Sequence, residues 1–258
     1  MTDEASIKKL RVLDLFSGIG GFSLGLERTG GFETVAFCEI EPFPRKVLAK
    51  HWPEVPCYYD VTKLTGDILK RDGISVDVIT GGFPCQDLST AGKRRGMGEG
   101  TRSGLWSEIV RLIGELRPQY VIVENVAALL SGPSERRGGW FGRVLGDLAE
   151  CGYDAEWENI PASALGAPHR RERVWIVAYP SEKRATTSIQ VLGEGGAGKQ
   201  LRRTTRRDGV FGVDNPPVSH VDDGVPDYMG GHFAAGNAVV PQIPEMIGNA
   251  ILQAELNQ

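Results

Sequence analysis

The sequence has no long hydrophobic run and little cysteine. No apolar stretch among its 258 residues approaches the ~20 residues that a membrane-spanning helix needs. The N-terminus also lacks the charged-then-apolar plan of a secretory signal. Neither a membrane nor an exported location is therefore expected. Paired spacing, which would indicate a disulfide framework or a zinc site, is absent among the four cysteines, Cys38, Cys57, Cys85 and Cys151.

A positive net charge is absent as well. The formal net charge is −4 and the pI is near 5.7, which argues against a general nucleic-acid coat protein. A local basic face would still be sufficient to bind nucleic acid. Any one basic run could be a solvated face, but several runs, one of them beside Cys85, favour phosphate contacts. These runs are Lys93, Arg94, Arg95 and Arg102; Arg170, Arg171 and Arg173; and Lys199, Arg202, Arg203, Arg206 and Arg207.

Strand and helix patterns alternate along most of the chain. The alternation predicts an α/β protein with a doubly wound, mostly parallel sheet. Short apolar runs predict strands at residues 11–16, 34–39, 56–59, 76–80, 120–124, 153–160 and 174–179. Helical spacing is found at residues 22–28, 42–52, 103–116, 140–151 and 241–256.

Reactive side chains occur where these predicted strands begin or end. Cys85 follows one strand, Glu124 closes the next, and Arg171 and Arg173 precede the last. Open α/β sheets bind ligands at the carboxyl ends of their strands. A thiol could attack an electron-poor ring there, while an acid protonates the ring and guanidinium groups orient it. Taken singly, Cys85 could be a buried small hydrophobe, Glu124 a structural carboxylate, and each arginine half of a surface ion pair.

A glycine-rich loop at residues 16–21 joins the first predicted strand to the next helix. Glycines permit a tight turn and a close approach to a ligand, and helix N-terminal amides can receive a carboxylate. Ser23 stands where the dinucleotide fingerprint has its third glycine, so the loop alone is weak evidence. Glu39 ends the second strand, where it could accept both ribose hydroxyls or be a simple surface charge. Asp60 ends the third strand.

In their order, these motifs resemble those of the cytosine-5 DNA methyltransferases of the bacterial and phage type. The resemblance covers nearly all of residues 9–178 and 234–256. It implies S-adenosylmethionine as cofactor, double-stranded DNA as partner, no metal, and a cytoplasmic, bacterial or phage-encoded monomer, as in restriction-modification systems. The matching stretches are Asp14–Gly21, Phe83-Pro84-Cys85-Gln86, Glu124-Asn125-Val126, Arg171-Glu172-Arg173 and Gly236-Asn237-Ala238-Val239-Val240-Pro241.

The resemblance also implies a role for each matching residue. Cys85 would add to C6 of a flipped cytosine while Glu124 protonates N3. Arg173 would bind the base carbonyl or brace Glu124, and Arg171 would orient the nucleophile side or a phosphate. Ile40 replaces the bulky or aromatic residue usual beside the ribose-binding acid, so stacking on adenine becomes an apolar contact. The implied cofactor contacts are Phe16, Ser17, Gly18, Gly20, Gly21, Glu39, Ile40, Asp60 and Asn237.

The predicted organisation is a catalytic domain at 1–179, a shortened target-recognition region at 180–235, and a segment at 236–258 that packs back on the catalytic domain. The middle region has few apolar residues to hold side chains rigidly against base edges. Its arginines, Arg202, Arg203, Arg206 and Arg207, are therefore expected to contact phosphate. Arg94, Arg95 and Arg102 belong to a basic, glycine-rich loop that would close over the base.

Two alternatives stay open at the level of sequence. One is a catalytically decayed module that binds cofactor or DNA, which intact Cys85, Glu124 and Arg173 oppose. The other is a transfer RNA cytosine-5 methyltransferase, whose Cys-Phe-Thr run in the target region is absent here.

Overall fold

The structure is a computed structural model that describes residues 8–83, 105–130, 139–165, 171–184 and 238–256. Within these ranges a single seven-stranded sheet is flanked by helices. Its strands are β1 (Leu10–Leu15), β2 (Phe32–Cys38), β3 (Cys57–Tyr58), β4 (Val78–Gly81), β5 (Tyr120–Val126), β6 (Tyr153–Pro161) and β7 (Glu172–Pro180). The helices are α1 (Gly21–Arg28), α2 (Pro42–His51), α3 (Gly66–Arg71), α4 (Trp106–Leu116), α5 (Gly139–Glu150), α6 (Ser181–Arg184) and α7 (Gln242–Leu256).

The strand order across the sheet is β3-β2-β1-β4-β5-β7-β6. Neighbouring strands from β3 to β5 are parallel, whereas β7 runs antiparallel between β5 and β6. The chain winds outward in one direction from β1 and in the other from β4. The carboxyl ends of β1 and β4 therefore flank the point where the strand order reverses, and open α/β sheets bind ligands at such a switch point. The predicted α/β class and mostly parallel sheet are confirmed.

Hydrophobic layers cover both faces of the sheet. Each layer consists of helix side chains packed on alternate residues of the strands, as the two-residue period of a strand requires. One layer includes Ile109, Leu112, Val144 and Leu148 of α4 and α5 against Leu13, Val121 and Ile176. The other includes Phe22, Leu26, Ile247 and Ile251 of α1 and α7 against Val12, Ile122 and Trp175.

The C-terminal segment lies directly on α1, and two glycines of α1 permit this contact. A Cβ atom built on Gly25 would lie 2.1 Å from the carbonyl oxygen of Pro241, and one on Gly21 would lie 2.5 Å from that of Val239. Any side chain at either position would force the two segments apart. The described part of the C-terminal segment thus packs on α1, while the division into domains stays a prediction.

Helix α3 is an element that the sequence patterns did not predict. It has six residues, too few to show helical periodicity. Its start is fixed locally, because the side-chain oxygen of Thr65 accepts the N–H of Ile68 at 3.3 Å.

Among the helices of the described ranges, none is both long and apolar enough to cross a membrane.

Candidate cofactor and catalytic site

The loop after β1 is built on left-handed backbone conformations. Phe16, Gly18 and Gly20 have φ angles of 52°, 54° and 85°, of which the first is unusual for a residue with a side chain. A Cβ atom on Gly20 would lie 2.6 Å from the ring of Trp52, so only glycine fits there. The Gly20 N–H closes the turn on the carbonyl of Ser17 at 2.9 Å. The loop consequently enters α1 as a tight turn above the end of β1.

Glu39 follows β2 directly and lies against this loop. Its side chain is buried, and its Oε2 accepts the N–H of Gly18 at 2.7 Å while its Oε1 accepts the N–H of Glu41 at 2.8 Å. Each carboxylate oxygen can accept a further hydrogen bond. The neighbouring Ile40 is 50% exposed. An acid able to accept hydroxyl groups and an exposed apolar side chain thus stand side by side at the end of β2.

Asp60 lies two residues beyond β3, in a turn that is held from two sides. The N–H and hydroxyl of Thr62 donate to its Oδ1 at 2.9 and 2.8 Å. These hydrogen bonds lower the pKa of Asp60. From α4, Arg111 donates to the carbonyls of Val61 and Leu64 at 3.0 and 2.7 Å. The carboxylate of Asp60 therefore sits on a fixed loop at the strand end next to Glu39.

A fully buried carboxyl group, that of Asp14, lies beneath these strand ends. Its Oδ1 accepts the hydroxyl of Thr80 from β4 and its Oδ2 that of Ser23 from α1, both at 2.8 Å. Burial raises the pKa of Asp14 from 3.8 to about 7, against the lowering effect of the two hydroxyls; the charge of Glu39 adds a smaller upward contribution. Asp14 thus joins β1, β4 and the start of α1 through one titratable group.

Asp14→Asn should reduce the pH dependence of folding stability. Because the folded pKa of about 7 exceeds the ordinary 3.8, the folded state holds a proton that the unfolded state has lost. The wild type therefore loses stability as pH rises through this window. At about 1.4 kcal/mol for each pKa unit, the loss attributable to Asp14 is about 4 kcal/mol. Urea unfolding between pH 4 and 8 would measure it, and identical pH profiles for variant and wild type would contradict the expectation.

Glu124 and Arg173 form an ion pair between adjacent antiparallel strands. Arg173 Nε lies 3.0 Å from Glu124 Oε1, in a register that sets Val126 opposite Arg173. The Glu124 side chain is buried, and this burial raises its pKa, whereas Arg173 and, secondarily, Arg171 lower it. Burial and the neighbouring Arg173 lower the pKa of Arg171. Desolvation therefore favours the protonated form of Glu124, whereas the two guanidinium groups favour its ionised form.

The end of β4 runs beside this acid. Asn125 Nδ2 donates to the carbonyl of Phe83 at 3.1 Å, and a Cβ atom on Gly82 would lie 3.4 Å from Glu124 Oε2. Phe83 itself packs on Trp106 of α4, with 5.3 Å between the ring centroids. The segment that leads to the predicted nucleophile therefore starts beside the predicted acid and is hydrogen-bonded to the residue that follows it, Asn125. Cys85 lies outside the described residues, two positions after Phe83 in the sequence.

The structure brings together the glycine loop, Glu39, Asp60, Glu124, Arg171 and Arg173 at one end of the sheet. Sequence patterns missed the buried Asp14, and also Arg45 and Arg111, which bond to backbone carbonyls at the end of β2 and in the turn after β3. No spacing signal marks an arginine whose partners are distant backbone oxygens. No metal-binding cluster of His, Cys, Asp or Glu occurs in the described ranges. The predicted site residues outside those ranges are Cys85, Arg94, Arg95, Arg102, Arg202, Arg203, Arg206, Arg207 and Asn237.

Known structures share this fold. A prophage-encoded E. coli protein described as a DNA modification methyltransferase is 29% identical, with a TM-score of 0.58 over 71% of this chain and 49% of that one. The Dnmt2 methyltransferase of S. pombe, at 22% identity, has a TM-score of 0.53 over 67% of this chain and 50% of its own. The second likeness concerns the fold alone.

Sequence relatives show the family. The Type II methyltransferase M2.BsuMI of Bacillus subtilis is 37% identical over 173 residues, 66% of this chain and 42% of that protein. M.Sau3AI of Staphylococcus aureus is 36% identical over 191 residues, 68% of this chain and 45% of that protein. The matched part thus spans less than half the length of these curated relatives. A family model described as C-5 cytosine-specific DNA methylase matches residues 10–204. The chain belongs to the C-5 cytosine-specific DNA methylase family.

Proposed function

We propose that this protein is a DNA cytosine-5 methyltransferase acting on a cytosine flipped out of double-stranded DNA. The observation that carries the proposal is the ion pair between buried Glu124 and partly buried Arg173, beside Gly82, which directly follows β4 and stands three residues before Cys85. Family membership supports the same reaction. Because the matched relatives are longer than this chain, its activity, cofactor and DNA partner are all part of the proposal.

The chemistry assigns a task to each of these groups. The Cys85 thiolate adds to C6 of cytosine, forming a carbon–sulfur bond and moving ring electrons toward C5. Glu124 supplies a proton or hydrogen bond at N3, which stabilises the charge that develops on the ring. Arg173 holds the Glu124 carboxyl in place, and Arg171 orients the nucleophile side. Once C5 has gained the methyl group and released its proton to solvent water, the Cys85 thiolate leaves C6, the N3 proton returns to Glu124, and the aromatic ring is restored.

The residues at the ends of β1, β2 and β3 suit S-adenosylmethionine, which would supply the methyl group when bound. Buried Glu39 has acceptor capacity left for ribose hydroxyls. Asp60 is placed for the adenine amino group, with Ile40 as an apolar contact for the ring. The tight glycine loop offers amides at the start of α1 to the carboxylate of the methionine end. Phe16, Ser17, Gly18, Gly20, Gly21 and Asn237 complete this proposed set of contacts.

Glu39→Ala should weaken binding of S-adenosylmethionine by about 1–3 kcal/mol, the scale of hydrogen bonds lost to a charged group. Isothermal titration calorimetry on wild type and variant would measure the loss. Glu41→Ala is the matched control, because Glu41 is an exposed acid two residues away whose contact with the site is its backbone N–H. Equal affinities of Glu39→Ala and wild type would remove the ribose role from Glu39.

The proposed DNA contacts involve arginines outside the described residues. Arg94, Arg95, Arg102, Arg202, Arg203, Arg206 and Arg207 would contact phosphates, so DNA binding should weaken steeply with salt. Bisulfite sequencing of plasmid from an expressing host tests the activity and reveals the target. A parallel assay on transfer RNA tests the substrate class. Methylation of RNA alone, or cofactor binding without any transfer, would replace the proposal by one of the two alternatives.

A further inference from the structure

Arg45 on α2 joins the ends of two strands that carry the proposed cofactor acids. Its Nη1 donates to the carbonyl of Glu39 at 2.9 Å and to that of Tyr58 at 3.0 Å. The Tyr58 carbonyl also accepts the N–H of Glu39 at 3.0 Å. One guanidinium group therefore bonds to backbone carbonyls at the ends of both β2 and β3.

These hydrogen bonds matter because few backbone pairs join the two strands. Their pairing consists of Phe37 with Cys57 and Cys38 with Tyr58, and β3 lies at the edge of the described sheet. An edge strand held by few backbone bonds opens at low free energy. A charged donor that bonds to both strand ends, with charge-assisted hydrogen bonds, should hold their separation more firmly than the short ladder can.

The separation of these strand ends sets the separation of two carboxylates. Glu39 is the residue whose carbonyl Arg45 holds, and Asp60 follows Tyr58 by two positions. We propose that Arg45 is a positioning residue of the cofactor site, which keeps Glu39 and Asp60 spaced so that both contact one S-adenosylmethionine molecule. This inference rests on the proposed function, because it takes the ribose and adenine contacts from there.

The test measures binding of S-adenosylhomocysteine, which has the same ribose and adenine but cannot react. By calorimetry, Arg45→Met should bind at least about tenfold more weakly than wild type, equivalent to about 1.4 kcal/mol. Arg45→Lys, which keeps the charge on a shorter arm, should fall between the two. Lys46→Met is the matched control, since it removes an exposed cation from the next position of α2, and it should stay within about twofold of wild type.

A second measurement separates positioning from general stability. Asp60→Asn should weaken binding strongly in the wild type and much less in the Arg45→Met background, because there the two acids no longer act on one ligand. Such non-additivity marks coupled groups, whereas a merely structural arginine would leave the two losses additive. In turnover assays, the KM for S-adenosylmethionine should rise while kcat changes little.

Tyr59 supplies a further control. The guanidinium carbon of Arg45 lies 5.5 Å from the centroid of the Tyr59 ring, and Tyr59→Leu removes that contact without touching the carbonyl bonds. The proposal is wrong if Arg45→Met keeps wild-type affinity, if its loss adds to that of Asp60→Asn, or if Tyr59→Leu reproduces the full loss. Wild type that fails to bind S-adenosylhomocysteine would instead overturn the proposed function itself.

Discussion

Replacing Cys85 with serine is expected to abolish methyl transfer. The proposed reaction begins with a thiolate, and a serine hydroxyl is a far weaker nucleophile at neutral pH without a dedicated base. Binding of cofactor and DNA should persist, since the substitution exchanges one small atom. The measurement is incorporation of labelled methyl groups into plasmid DNA by purified wild type and variant.

The other cysteines provide controls. Burial raises the pKa of Cys38 to about 12 and also raises the pKa values of Cys57 and Cys151, so these thiols are poorly suited to act as thiolates. Cys57→Ser and Cys151→Ser should keep near-wild-type turnover. Cys38 is 3% exposed, so its serine variant is expected to lose stability rather than chemistry.

A covalent readout makes the expectation sharper. A cytosine that carries fluorine at C5 cannot lose a proton there after methylation, so the adduct with the nucleophile should persist. Mass spectrometry should detect this adduct in wild type and in Cys151→Ser but not in Cys85→Ser. Turnover of Cys85→Ser near the wild-type rate, or an adduct mapped to another cysteine, would remove Cys85 from its role.

The sequence was sufficient to predict where the strands lie, because they are buried runs followed by glycine or by polar residues. Val78–Gly81 and Tyr120–Val126 are fully or nearly buried, and each leads into a motif that carries chemistry. The antiparallel insertion of β7 between β5 and β6 was not predicted, since alternation of strands and helices indicates direction only where a helix intervenes. No α-helix separates β6 from β7 in the described residues.

What the sequence could not predict is which side chains hold the site together. Asp14 is part of a recognised motif, yet its bond to Thr80 depends on β1 and β4 being neighbours, and its bond to Ser23 depends on how α1 packs against β1. Arg45 and Arg111 bond to backbone carbonyls of segments distant in sequence, and a carbonyl is present at every residue. Such contacts depend on the folded arrangement of the segments and leave no spacing pattern in the sequence.

Glu124→Gln is expected to lower kcat by about 10²–10⁴-fold, the usual contribution of a general acid. An amide has nearly the shape of the carboxyl group and can accept a bond from Arg173, so the fold and DNA binding should be retained. It can still offer a hydrogen bond at N3 but cannot transfer a proton. Single-turnover methylation with saturating cofactor would measure the chemical step, and an unchanged rate would exclude Glu124 as the acid.

The pH dependence gives this role an independent test. The acid must be protonated to act, and its protonated fraction falls as pH rises past its pKa, so kcat/KM should decline on the basic side. Arg173 lowers the pKa of Glu124, and Arg173→Met should therefore raise it and move the declining limb to higher pH. Arg173→Lys keeps a cation near the acid and should shift the limb less. If the decline of kcat/KM at high pH occurs at the same pH in Arg173→Met, or persists in Glu124→Gln, a group other than Glu124 controls it.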